Sequence, residues 1–290
     1  MKFEKPVDYV IIGGGSAGCV LAARLSEDPK NSVVLLEAGG EDSHPLIHVP
    51  AGYVKTMVNP AVNWMFESEP ESGTANRVLT MPRGKVLGGS SAINAMLYVR
   101  GQQADYDGWA QRGNSGWSYQ DVLPYFRKSE HCEFAAPDSD IRGDAGPLNV
   151  ANIRNTYFGL DKVIEAAIDC GYPHNPDYNS GDQDGFGYYQ VTQKDGLRFS
   201  AKKAYLQPVR KRKNLQVITR AHVTSLIFAD PDAQRKRVIG VRFTRNGSSR
   251  QIRVHRAALL SAGAFQSPQI LELYGLHPKV AEFDGQPYCT

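Results

Sequence analysis

The sequence has little net charge, few cysteines and no long apolar run. Its 33 Lys and Arg nearly balance 30 Asp and Glu, leaving +3. So small an excess is a poor electrostatic footprint for nucleic acid, and no nucleic-acid partner is expected. The cysteines are Cys19, Cys132, Cys170 and Cys289, far apart and without a C-x-x-C pair. They read as reduced thiols, which suits a cytoplasmic protein better than a secreted one. The N-terminus has charges but no apolar core segment, so no signal peptide is expected. The apolar stretch from Val7 to Leu25 is broken by four glycines and ends in charge, so no transmembrane segment is expected; peripheral membrane association stays open. No solenoid-period repeat or low-complexity tract is present. The apolar share of 41% and the charged share of 22% are ordinary globular values, and 290 residues suit about two domains.

The first forty residues carry the clearest pattern. Val7 to Ile12 is an apolar β-branched run that reads as a strand buried on both faces. Gly13-Gly14-Gly15-Ser16-Ala17-Gly18 follows as G-x-G-x-x-G, then Cys19 to Leu25 reads as a helix. Ser32 to Leu36 is a second buried strand, closed by Glu37. In this order the glycines have separate tasks: Gly13 for the tight turn, Gly15 for close approach to a pyrophosphate, Gly18 for helix-on-strand packing. A pyrophosphate would lie at the helix N-terminus, where free N–H groups and the dipole favour negative charge. Glu37 could accept from both ribose hydroxyls and would repel a 2′-phosphate. The motif alone does not separate NAD from FAD; the Glu37-Ala38-Gly39-Gly40 run favours FAD.

A second glycine cluster spans Pro82 to Tyr98 and holds Arg83-Gly84-Lys85-Val86-Leu87-Gly88-Gly89-Ser90-Ser91-Ala92-Ile93-Asn94. Adjacent glycines, serines and an asparagine offer the backbone-lined wall that a flat ring needs. This segment resembles the first signature of the glucose-methanol-choline (GMC) oxidoreductases. Asn63 to Pro70, Arg100 to Trp109, Gly196 to Leu206 and Ser261 to Leu271 resemble further family segments, and the likeness runs from Val7 to about Leu273. It is nearest to the choline-dehydrogenase-like alcohol dehydrogenases.

The resemblance implies an α/β fold: a Rossmann-like FAD-binding domain, three-layered, with a parallel sheet and a β-meander, plus part of a substrate domain. It implies that residues 1–150 and 213–273 are two parts of the FAD domain, 151–212 a covering segment and 274–290 an anomalous tail. It implies that Gly13, Gly14, Gly15, Ser16, Ala17, Gly18, Glu37 and Ala38 hold the ADP half of FAD, with Trp64 nearby and Val223 behind the adenine. Val86, Gly88, Gly89, Ser91, Asn94, Ala95, Met96 and Leu97 would lie along the pyrophosphate and flavin. Ile93 stands where some relatives attach FAD through a histidine, so the flavin is expected to be non-covalent. The implied activity is oxidation of choline or a primary alcohol to an aldehyde by hydride transfer to flavin N5, with an unidentified electron acceptor. No catalytic residue is assigned. The family's base is expected beyond residue 290, and His44, His48, His131, His174, His222, His255 and His277 match none of its positions. The alternatives are an inactive FAD-binding fragment and a lyase with structural FAD.

The remaining readings are structural. Leu160, Val163, Ile164, Ala167 and Ile168 make a helical stripe over 161–170 that is expected to face a core, with Gly171 as the stop. Tyr172 to Gln193 reads as a long loop on the substrate side. Leu215–Thr219, Val223–Phe228, Val238–Thr244 and Arg250–Val254 read as strands, with Asn246-Gly247 as a type I′ hairpin turn and Ala257 to Ser261 as a separate buried run returning to the main sheet. Trp109 and Trp117 are expected to be core anchors. The basic runs 210–213 and 235–237 are expected to be solvated faces. Cys19 is expected to pack as a small apolar residue, and His44 with His48 not to hold a metal.

Overall fold

Three consecutive apolar residues, Val10, Ile11 and Ile12, have at most 2% of their surface exposed. A strand buried this fully must have partners on both edges and covers on both faces. In the computed structural model, which describes residues 3–136, 138–230, 237–273, 280–283 and 286–289, that strand is β1 (Phe3–Ile12). It leads through the glycine turn into α1 (Ser16–Leu25) and β2 (Val33–Leu36). The same unit continues with β3 (Leu215–Ile218), β4 (His222–Phe228), β5 (Val238–Arg245), β6 (Ser248–Leu260) and α2 (Gln266–Glu272). The six strands form one sheet in the order β3-β2-β1-β6-β5-β4. β3, β2, β1 and β6 run parallel, while β4, β5 and β6 form an antiparallel meander. This is the Rossmann-like α/β fold with a meander that the resemblance implies.

The meander differs from expectation at one end. The runs 250–254 and 257–261 are one thirteen-residue strand, β6, not two. Its first half pairs with β5, and it lies along β1 from Gln251 to Leu260. Ala257 to Leu260 are half-buried rather than buried. The hairpin turn is as read: Asn246 and Gly247 have φ of +50° and +72°, the left-handed pair that a type I′ turn needs. A Cβ at Gly247 would meet nothing within 4 Å. Gly247→Ala is therefore expected to cost only the left-handed backbone penalty, about 1 kcal/mol, visible as a small drop in Tm.

The compact units divide the chain at other places than the linear boundaries suggest. One unit comprises 1–42, 60–90 and 206–290; the other comprises 43–59 and 91–205. Residues 91–150 fall with 151–205 because the strand Glu130–Cys132 pairs with Leu148–Asn152, which in turn pairs with Gln190–Val191. Within this second unit Glu130 is wholly buried between two cations. Arg142 Nε donates to its Oε1 at 2.8 Å, and Arg100 Nη2 lies 2.8 Å from the same oxygen. The Arg100 contact is out of line for a hydrogen bond and acts through charge. Arg142 also pairs with Asp177, and Gln190 Nε2 donates to that carboxylate at 2.7 Å. Burial pushes the Glu130 carboxyl up, but Arg142, Arg100 and the Gly143 N–H outweigh it and hold it below its ordinary value.

Several expectations for this second unit are corrected. The helix forms over Phe158–Asp169 and stops at Gly171, with φ +90°. Its stripe faces no core: Leu160, Val163 and Ile168 are exposed, and Ile164 and Ala167 are half-buried. Trp109 and Trp117 are 45% and 52% exposed and stack on each other edge to face at 5.8 Å. The stretch 172–193 is only partly loop; it ends in the paired strand Gln190–Val191 and buries Asn179 and Gln190. In the first unit, the basic run 210–213 is not wholly solvated. Arg212 Nη1 donates to the Ala23 carbonyl at 2.7 Å and to Ser26 Oγ at 2.9 Å, clamping the end of α1, and Arg210 pairs with Glu41. Cys19 is buried, and its thiol donates to the Gly14 carbonyl at 3.3 Å. His44 caps the short helix Pro45–His48, its Nδ1 accepting from Leu46 N. Lys236, Arg235, His277 and residues 274–279 of the tail lie outside the described residues, while Val280–Phe283 and Gln286–Cys289 pair as a hairpin. No helix among the described residues is long and apolar enough to cross a membrane.

Candidate nucleotide site

The site grows from the turn after β1. Gly13 has φ +99°, and a Cβ there would lie 2.5 Å from the Ser261 carbonyl oxygen. Only glycine can make this turn while β6 passes so close. Gly18 lets α1 seat on the same turn: a Cβ would lie 1.9 Å from the Gly13 carbonyl oxygen. Ser261 Oγ locks the arrangement by donating to the carbonyls of Ile12 and Gly13, both at 3.0 Å.

Glu37 stands at the end of β2 with 5% of its surface exposed. Its Oε2 accepts from Gly14 N at 2.7 Å and its Oε1 from Gly39 N at 2.8 Å. Each oxygen keeps a second acceptor position. Burial raises the Glu37 carboxyl above its ordinary value, against the pull of the Gly39 and Gly14 N–H groups and of Lys85. Hydroxyl donors from a ligand would relieve that burial by bonding the ionised form.

The second glycine cluster lies against the first. Gly88 N donates to the Gly14 carbonyl at 2.8 Å, and Leu87 N to the Gly40 carbonyl at 2.9 Å. Gly89 has φ +55°, and a Cβ on it would come 2.7 Å from Gly15 Cα. Two glycine backbones thus approach each other with no side chain between them.

Around this point the first unit has an open cleft of about 670 Å³. Of the residues the family likeness assigns to the cofactor, Gly13, Gly15, Ser16, Ala17, Glu37, Ala38, Trp64, Gly89 and Val223 line it. Gly14, Gly18, Val86 and Gly88 do not; they hold the lining backbone, Val86 through a bridge to Gly40. Ser91, Asn94, Ala95, Met96 and Leu97 belong to the second unit. There Ser91 Oγ accepts from Ala201 N, the Met96 carbonyl from Thr192 N, and Leu97 bridges Val191.

Arg83, His222 and Phe265 also line the cavity, and the sequence reading assigned them no role in it. Trp64 stacks parallel to Phe66 at 5.8 Å and meets His222 edge to face at 5.6 Å. Lys85 Nζ lies 4.5 Å from the Trp64 ring centre, and the Arg83 guanidinium 4.5 Å from that of Phe265. Burial, with help from Lys85, lowers the His222 imidazole below its ordinary value, which favours the neutral ring. Arg83 and Lys85 flank Gly84 in the second cluster; two cations inside a glycine loop were a legible sign of an anionic ligand.

Glycine turn, helix N-terminus, acid at the end of the second strand and a roomy cavity define an α/β dinucleotide-binding unit. Comparison with known proteins narrows this. The chain belongs to the GMC oxidoreductases, matching that family over residues 7–282, which carries the likeness past Leu273 into the tail. It is 43% identical over 273 residues to an oxygen-dependent choline dehydrogenase of Sinorhizobium fredii, covering 93% of this chain and 48% of that protein. It is 40% identical over 271 residues to an alcohol dehydrogenase [acceptor] of Pseudomonas putida, with the same coverages. Among solved structures, pyridoxine 4-oxidase from Mesorbium loti superposes with a TM-score of 0.85 at 34% identity, covering 91% of this chain and 51% of that one. An FAD-dependent oxidoreductase from Chaetomium thermophilum gives 0.85 at 30% identity, covering 94% and 48%. The chain spans about half the length of the relatives it matches.

Proposed function

We propose that this chain holds FAD and forms the front half of an oxidoreductase acting on an alcohol, choline or a primary alcohol. The carrying observation is the meeting of Gly15 and Gly89 backbones beside Glu37 in a cavity of about 670 Å³. A Cβ at Gly89 would fill the gap, and Glu37 retains acceptors for two ribose hydroxyls. Adenine fits the aromatic wall of Trp64 and His222 near Val223. Ser91 and Asn94 to Leu97 are assigned to the flavin by family likeness alone. When bound, FAD supplies the acceptor for a substrate hydride. The chain's own residues bind and orient it: Glu37 holds ribose, and the start of α1 with Arg83 and Lys85 faces negative charge. The proton acceptor for the substrate hydroxyl and the electron acceptor are assigned to the whole protein, not to these residues.

Titration of the purified chain with FAD, followed by flavin fluorescence, tests the reading. Saturable quenching near one FAD per chain is expected; no binding would refute it. The same sample tests the mode of attachment. Ile93 is buried and has no nucleophilic atom, so acid precipitation is expected to leave all yellow colour in the supernatant. Colour retained in the pellet would contradict non-covalent binding.

A further inference from the structure

A second open cleft, of about 380 Å³, is formed wholly by residues of the second unit, none of which enters the proposed function. Part of its lining is bare backbone. Gly143 and Gly146 press on the end of the helix Tyr119–Ser129: a Cβ on Gly143 would lie 2.0 Å from the Arg127 carbonyl oxygen, and one on Gly146 2.4 Å from Glu130 N. Gly143 N donates to the buried Glu130 carboxylate at 3.0 Å, and Gly146 N to the Glu130 carbonyl at 2.8 Å. The cleft is thus tied to the buried Glu130–Arg142 pair and stands ready-formed.

Its charged groups are uncommitted. Arg127 and Lys128 line it from the last turn of the helix, both exposed, and neither has an ion pair or side-chain hydrogen bond among the described residues. Asp144 lines the same cleft, is also exposed, and its carboxylate pairs with neither of them. Ser139 adds a directed donor. Its Oγ accepts from Arg142 N at 2.9 Å and Ile141 N at 3.3 Å, which occupies the oxygen and leaves the O–H hydrogen to be donated. That hydrogen has no acceptor among the described residues. Asp138 and Asp140, beside Ser139 in sequence, do not line the cleft.

Two cations, one hydroxyl donor and one carboxylate therefore share a cleft without satisfying one another. Inorganic phosphate would suit the first three and be repelled by Asp144. A phosphate that carries hydroxyls suits all four, with the anion on Arg127, Lys128 and Ser139 and a hydroxyl donating to Asp144. The volume falls within the range of about 300–1,000 Å³ usual for small-molecule sites, near its lower end. We infer that this cleft is a binding site for a small phosphomonoester bearing hydroxyls, a sugar phosphate. The inference does not depend on the FAD reading. Cations that only offset the negative end of the helix would need neither Ser139 nor Asp144 uncommitted in the same cleft.

Calorimetric titration of the chain with glucose 6-phosphate and with inorganic phosphate tests this. Glucose 6-phosphate is expected to bind at least about fivefold more tightly than inorganic phosphate. Arg127→Gln with Lys128→Gln is expected to weaken both ligands at least about tenfold, with unchanged Tm because neither side chain has a partner to lose. Asp144→Ala is expected to bring the two affinities together, since it removes both the hydroxyl acceptor and the repulsion. A wild-type chain that binds neither ligand would overturn the inference. So would binding that survives the double substitution, which would put the phosphate elsewhere, as in the first unit's cleft. An undiminished preference for the sugar phosphate in Asp144→Ala would overturn the role given to its hydroxyls.

Discussion

Glu130→Ala is expected to unfold the second unit. The substitution leaves the buried Arg100 guanidinium without a carboxylate and Arg142 with Asp177 alone; their side chains are 2% and 3% exposed. Removing one partner of a buried ion pair costs about 3–5 kcal/mol, a large part of the total stability of an ordinary domain. The Gly143 N–H, 3.0 Å from Glu130 Oε1, also loses its acceptor. A urea melt of wild type and variant measures this; a midpoint that moves less than a conservative surface change would show the cluster to be unimportant. The pH dependence carries a sign. Because the folded carboxyl lies below its ordinary value, its contribution is present above the ordinary value of 4.5 and is lost as pH falls through the folded value. Glu130→Gln should lack that acid-side step while starting from a less stable protein.

Gly18→Ala is expected to do comparable damage in the first unit. In an exposed helix the change would stabilise by about 1 kcal/mol. Here the new Cβ would stand 1.9 Å from the Gly13 carbonyl oxygen, and both sides of the clash are backbone. The helix must lift from the turn, opening the Ser261 lock and the cavity floor; a net loss of about 3 kcal/mol follows from overpacking of this kind. Gly15→Ala is the contrasting variant. Gly15 has φ −76°, and a Cβ there would meet only Gly89 Cα, at 3.9 Å. It should fold with nearly wild-type Tm and yet bind FAD poorly, because the methyl enters the gap proposed for the pyrophosphate. Equal melting losses in the two variants would refute this division of labour.

These contrasts show why part of the molecule could be read from its residues. From Val7 to Glu37 each step is local: a β-branched run, glycines at fixed offsets, a short helix, a second run, an acid. Asn246-Gly247 is equally local. What escaped reading depends on distant partners. Apolar periodicity at 160–168 shows that a helix has a greasy face, not that anything covers it. Trp109 and Trp117 look like core residues by type, but each finds the other on the surface. Arg198 was legible only as part of the family-like stretch Gly196 to Leu206; its burial against neutral oxygens depends on Ile47, Ser91 and Asn94, far away in sequence. Nor could linear order show that 60–90 returns to the first unit after 43–59 has left it.

The sheet order also bears on how the chain is made. β1 leaves the ribosome ahead of its neighbours, and β2 reaches one of its edges within about thirty residues. Its other edge waits for β6, since Ile12 pairs with Leu260, 248 positions later. At roughly 5–20 residues per second that interval lasts on the order of 12–50 s. Throughout it the apolar end of β1, Val10 to Ile12, offers an open hydrogen-bonding edge, the form of exposure that invites pairing with another nascent chain. Synthesis of this protein therefore leans on whatever shields β1 until its last neighbour arrives.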